Sequence, residues 1–192
     1  DVPQEFVGDE AHRGDMVWSA AVSEELRSRA TAVIGNFPVS QASQYTRLEW
    51  LQTFSAGVDA YICPGVLPRG TMVTNASGAY GQSVSEHMFA TMWALMKNLN
   101  RYASNQRDHQ WQDEGPVLSP EGGIALIIGV GDIGSHFAQL AQSVGMRTFG
   151  VRRHADVPAK GIEKMYGFER LETLLPLADV VAMAVPRSPQ TH

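Results

Sequence analysis

The chain has 192 residues, of which 44% are hydrophobic and 18% charged, a composition that supports a packed core and argues against a disordered or fibrous protein. A net charge of -5 gives no overall attraction for nucleic acid or an anionic membrane surface, so a small-molecule partner is expected. Cys63 is the only cysteine, which excludes an internal disulfide and a thiolate metal centre. No apolar run approaches the ~20 residues of a membrane helix and residues 1–20 carry no leader pattern, so a reducing, cytoplasmic setting is expected.

Residues 1–22 are polar and irregular and carry no reading. A short helix is expected over residues 23–30 and buried strands over 31–36 and 48–54. Ser55-Ala56-Gly57-Val58-Asp59 follows the second strand directly. Small residues at a strand end let backbone approach a ligand; a tight packing turn is the alternative. Residues 61–70, rich in proline and glycine, read as loop, and residues 71–75 as a further strand. Strand, turn and helix alternate in the manner of a parallel α/β layer.

The longest expected helix covers residues 83–111. Ser83 and Glu86 have the spacing of a capping box, and Val84, Met88, Met92, Leu95, Leu99 and Tyr102 repeat with the period of one helical face. Phe89, Trp93 and Met96 widen that stripe. The helix is therefore expected to pack on two sides, against a second subunit or wholly within a core. Glycine and proline at 113–116 and 119–123 place a domain boundary after residue 112, dividing the chain into 1–112 and 113–192.

Ile124-Ala125-Leu126-Ile127-Ile128 is an apolar run of strand length leading into Gly129-Val130-Gly131-Asp132-Ile133-Gly134. A helix follows, with Ile133, Phe137, Leu140, Ala141 and Val144 facing inward and Gly145 placed to end it, and then a strand over 146–151. A lone G-x-G-x-x-G is weak, but strand, glycines, helix and strand stand here in the order of a dinucleotide-binding fold. Gly129 permits the sharp turn, Gly131 lets backbone N–H groups meet a pyrophosphate, and Gly134 allows close helix–strand packing. The candidate cofactor contacts are Gly129, Gly131, Asp132, Ile133 and Gly134, reinforced by the helix N-terminus. Where NAD enzymes of this fold carry an acidic residue, this chain has Arg152 and Arg153. Guanidinium can pair with the 2′-phosphate of NADP, so NADP is the expected cofactor and NAD the alternative; solvated surface arginines are the other reading. A short helix around Leu171, Leu174 and Leu175 precedes a third buried strand over 179–186. Pro186 and Thr191, beyond that strand, line the cofactor groove or serve the loop.

The segments Thr53-Phe54-Ser55-Ala56-Gly57-Val58-Asp59, Thr74-Asn75-Ala76-Ser77-Gly78 through Glu86-His87, the glycine segment, and residues 179–191, taken in order, resemble the D-isomer-specific 2-hydroxyacid dehydrogenase family. The resemblance implies two Rossmann- or flavodoxin-like α/β domains with parallel sheets and a cleft between them. Residues 1–112 would be the substrate domain with its connecting helix, and residues 113–192 the nucleotide-binding domain truncated after its first half. It implies homodimers pairing through the nucleotide domain and the long helix, and a substrate carboxylate held by backbone N–H groups at Ala56 and Gly57. It further implies an oxidoreductase passing a hydride between NAD(P) and a small 2-hydroxy or 2-oxo acid, of the glyoxylate or hydroxypyruvate reductase type. The family's catalytic arginine, glutamate and histidine are expected after His192, so none is assigned here, and the chain is expected to be part of a longer polypeptide. His87, beside Glu86, is read as part of the helix start rather than as a catalytic pair. A phosphoglycerate dehydrogenase-like enzyme and a nucleotide-sensing corepressor-like protein are the competing readings. Neither a membrane, a nucleic acid nor a metal is expected as a partner.

Overall fold

A computed structural model describes residues 22–186, and these form two compact units, one running to Ser77 and the other comprising Gly78–Pro186. Thr191 lies outside the described residues, as do His12 and His192.

In the first unit, helix α1 (Glu24–Arg29) starts at Ser23, whose side chain accepts a hydrogen bond from the Leu26 N–H. Strands β1 (Ala32–Ile34), β2 (Trp50–Gln52) and β3 (Met72–Thr74) form a parallel sheet in the order β1-β2-β3, in which Val33, Leu51 and Val73 are register partners. A 3-10 turn at Val39–Gln44, which the pattern of the sequence did not announce, carries Ala42 into the core with Phe37, Tyr45, Leu48, Leu51 and Tyr61. Phe37 stacks on Tyr45 with ring centroids 4.3 Å apart, and the Tyr61 hydroxyl donates to the Phe37 carbonyl at 2.6 Å. The loop around Tyr61 is thereby tied to the segment after β1.

The second unit contains α2 (Gly81–Met96), α3 (Leu99–Arg107), β4 (Ile124–Ile128), α4 (Asp132–Ser143), β5 (Arg147–Val151), β6 (Lys164–Tyr166), α5 (Leu171–Leu174) and β7 (Val180–Met183). All its strand pairs are parallel and the sheet order is β6-β5-β4-β7. The direction of winding therefore reverses between β4 and β7, where open sheets of this kind bind ligands. Alternation along β4 sends its residues to opposite faces. Ala125 and Ile127 join Phe137, Ala138 and Ala141 of α4 and Met92 and Met96 of α2, while Leu126 and Ile128 join Phe149, Val151 and Leu174. A strand covered on both faces has no polar side, which explains its unbroken apolar sequence. Gly145 ends α4 with φ +82°, and the Met146 N–H returns to the Ala141 carbonyl.

Several expectations need correction. The helix read over residues 83–111 is two helices separated at Asn98, which takes the left-handed conformation (φ 53°) that asparagine tolerates better than most residues. It starts at Gly81 with no side-chain cap, so Ser83 lies inside its first turn and the capping box does not form; Glu86 accepts instead from the Gln82 amide at 2.9 Å. Its buried side is Gly81, Ser85, Met92 and Met96, with Met88, Phe89 and Trp93 packed beside them. Val84, Leu95, Leu99 and Tyr102 remain exposed. Strand β6 escaped notice because it is three residues at a sheet edge, between turns, with no apolar run. Strand β7 was expected to be buried but occupies the other edge; Ala182 is buried while Val181 and Met183 are exposed. By packing, α2 and α3 belong with the second unit. Among the described residues no helix is long and apolar enough to cross a membrane.

Candidate functional site

The glycine segment occupies the carboxyl end of β4, beside the end of β7. Gly129 has φ +90°, and a Cβ there would run into the Ala184 carbonyl and the Val185 side chain. A Cβ on Gly134 would strike the Gly129 carbonyl oxygen, so helix and loop touch backbone to backbone. Gly131 differs: a Cβ on it would meet no protein atom within 4 Å, although it caps α4 and has negative φ. Two glycines are thus required by the protein's own packing, while the third faces open space. No side chain caps the first turn of α4, whose unpaired N–H groups and positive helix end suit a phosphate. That combination fits the pyrophosphate of a dinucleotide.

Asp132 turns its carboxylate away from a capping role. It lies 3.3 Å from His136 Nδ1 and packs against Gly81, the first residue of α2, where a Cβ would lie 2.5 Å from Asp132 Oδ2. One negative group therefore serves the positive ends of two helices. Ile133 is half-buried.

The arginine pair divides. Arg152, half-buried, donates from Nε to the His154 carbonyl at 3.0 Å, from Nη1 to the Val130 carbonyl at 3.4 Å, and from Nη2 to the Val157 carbonyl. It is a clamp between the glycine loop and the segment after β5. Arg153 is exposed and has no hydrogen bond or ion pair among the described residues. Pro186 is exposed beyond β7. A cleft of about 260 Å³ lies elsewhere, between α2 and α4, lined by Gln82, Ser85, Glu86, His136, Gln139 and Leu140. It includes neither the glycines nor Arg153, and a shallow cleft says less about chemistry than a glycine loop at a strand end. Glu86 is engaged with Gln82, and His87 is exposed next to it, so they do not form a catalytic pair.

In the first unit the turn after β2 exposes Ala56 and Gly57. Its carbonyls are occupied. Ser55 O accepts from Thr53 Oγ1 at 2.8 Å and from the Ala76 N–H at 3.2 Å; Ala56 O accepts from Asn75 Nδ2 at 2.8 Å; Gly57 O accepts from Ser55 Oγ at 2.8 Å. The N–H groups of Ala56, Gly57 and Val58 donate to nothing among the described residues. Successive N–H groups presented in this way suit an anion. Sequence reasoning found this turn through its small residues but gave no site role to Asn36, read as a strand end, or to Asn75, read as a strand end and as part of a family-like segment.

Residues 89–192 match the family model described as D-isomer specific 2-hydroxyacid dehydrogenase, NAD binding domain. A glycerate dehydrogenase from Methylorubrum extorquens is 26% identical over 179 residues, covering 88% of this chain and 54% of the relative. A D-3-phosphoglycerate dehydrogenase from Bacillus subtilis is 27% identical over 154 residues, covering 78% and 28% respectively. A solved D-isomer specific 2-hydroxyacid dehydrogenase family protein from Aeromonas salmonicida is 29% identical, with a TM-score of 0.78 over 88% of this chain and 54% of that one. The chain spans about half the length of the glycerate dehydrogenase and of the Aeromonas protein.

Proposed function

Because the chain belongs to the D-isomer-specific 2-hydroxyacid dehydrogenase family, we propose that it serves an oxidoreductase moving a hydride between NADP(H) and a small 2-oxo or 2-hydroxy acid, of the glyoxylate or hydroxypyruvate type. The observation that carries this reading is the open space before Gly131 at the uncapped start of α4. Gly129, Gly131, Ile133 and Gly134 hold the cofactor's pyrophosphate by backbone, with Asp132 contributing its N–H rather than its engaged carboxylate. Pro186 borders the groove. Arg153, the uncommitted member of the pair, meets the 2′-phosphate, and Arg152 holds the glycine loop in shape. The bound nicotinamide supplies the chemistry, giving or taking a hydride at the acid's C2. On the first unit, the N–H groups of Ala56 and Gly57 hold the substrate carboxylate. The catalytic arginine, glutamate and histidine implied by the family are assigned to no residue of this chain.

The segments at that strand edge, 35–36, 53–59 and 75–78, contain no lysine or arginine, which favours an unphosphorylated acid over a phosphoglycerate-type substrate. A homodimer belongs to the same proposal, supported by the exposed Val84, Leu95 and Leu99 on α2 and α3. So does a cytoplasmic setting, supported by the free, exposed thiol of Cys63. Titration with NADPH and NADH tests cofactor choice, with NADPH expected to bind about tenfold more tightly, the scale of one charge-assisted contact. Binding of neither removes the proposal. NADPH oxidation by the full-length protein with glyoxylate, hydroxypyruvate and 3-phosphohydroxypyruvate tests the substrate. No turnover despite tight cofactor binding would favour a corepressor-like nucleotide sensor.

A further inference from the structure

The turn after β2 is held by residues from the ends of all three strands of its sheet. Asn36, after β1, accepts from the Phe54 N–H at 2.9 Å and donates from Nδ2 to Ser55 Oγ at 3.2 Å; Ser55 Oγ in turn donates to the Gly57 carbonyl at 2.8 Å. Asn75, after β3, donates to the Ala56 carbonyl at 2.8 Å, and its own Oδ1 accepts from the Ser77 N–H at 3.2 Å. Both amides are thus gripped at two ends, which makes each a strut rather than a swinging surface group.

A peptide unit is planar and trans, so its C=O and the next residue's N–H point in opposite directions. Fixing one aims the other. Thr53 and Ala76, on the Ser55 carbonyl, aim the Ala56 N–H; Asn75, on the Ala56 carbonyl, aims the Gly57 N–H; Asn36, through Ser55 and the Gly57 carbonyl, aims the Val58 N–H. The carboxylate of Asp59 flanks the same turn, its Oδ1 3.6 Å from where a Gly57 Cβ would stand. It opposes any incoming anion, so the donors must be accurately presented for a carboxylate to be held.

We propose that Asn75 and Asn36 are positioning residues for the substrate carboxylate, Asn75 directing the Gly57 N–H and Asn36, through Ser55, adding the Val58 N–H as a third donor. This rests on the reading of Ala56 and Gly57 as the carboxylate site. Their chemistry requires an uncharged side-chain amide: an aliphatic residue of similar size keeps the volume but loses the grip on the carbonyl.

The test is a titration of the isotope-labelled full-length protein, saturated with NADPH, with oxamate, an inert analogue of a 2-oxo acid, following the backbone amide signals of residues 56–58. In the unaltered chain all three signals shift saturably. Asn75→Leu and Asn36→Leu are each expected to weaken oxamate about tenfold, the scale of one misdirected donor to a charged group, while NADPH affinity stays unchanged. Asn75→Ser, which keeps a donor on a shorter arm, is expected to recover part of the loss and serves if the leucine variant does not fold. Oxamate affinity within twofold of the unaltered chain in the asparagine variants overturns the positioning role and leaves the carboxylate site standing. Silent amides at 56–58 in the unaltered chain overturn both.

Discussion

A methyl group added at Gly129 or Gly134 would meet backbone, whereas one added at Gly131 would meet nothing. Gly129→Ala is therefore expected to cost about 2 kcal/mol or more through left-handed strain and overpacking, visible as a Tm lower by roughly 4 °C or more. Gly131→Ala should leave Tm within a degree or so while NADPH affinity falls, and a matching loss of stability would refute the open cradle. The arginines make a parallel contrast. Arg153→Ala should weaken NADPH by about tenfold to a hundredfold, the scale of charge-assisted bonds, with NADH affected little. Arg152→Ala releases three carbonyls and should weaken both cofactors alike. Selective loss of NADPH in Arg152→Ala would reverse these roles. The arginine pair was legible as a pair; which member was free was not, because Val130 lies far from Arg152 in the chain.

Elements in the second unit are joined by side chains that a hydrophobic pattern does not reveal. Arg147, at the start of β5, donates two hydrogen bonds to Glu163, just before β6, at 3.1 and 2.7 Å. The bonding guanidinium lowers the Glu163 pKa below its usual value. A depressed carboxylate pKa contributes stability that is fully present above the unfolded value and disappears as pH falls through the folded one. Glu163→Gln should thus flatten the loss of stability in that acid window, measured by denaturant unfolding across pH, with a small effect at neutral pH because the pair is partly exposed. An unchanged pH profile would remove the pair from the acid response. Asn98 illustrates the same limit at a helix end. The apolar period continued through it from Leu95 to Leu99, yet one left-handed residue breaks the helix, and no residue of the expected capping box signals the true start at Gly81.

At the scale of the whole molecule, the exposed apolar side chains of α2 and α3 are what supports the homodimer proposed above. Leu95 and Leu99 are 65% and 51% exposed. Leu95→Glu with Leu99→Glu should convert the expected homodimer to a monomer without changing cofactor affinity, read by light scattering after size exclusion. A monomeric unaltered protein would exclude that interface. What the sequence alone determined is the β4, glycine loop, α4 and β5 unit, because its signals are local: an apolar run, glycines at fixed offsets, a helical period and a stop. The Ser55-to-Asp59 turn was legible for the same reason. Only the tertiary structure decided which helix face is buried, which arginine is committed, how Asp132 meets Gly81, and how Asn36 and Asn75 hold the turn. Each of these depends on partners distant in the chain, and neither residue type nor period carries the direction in which a side chain finally points.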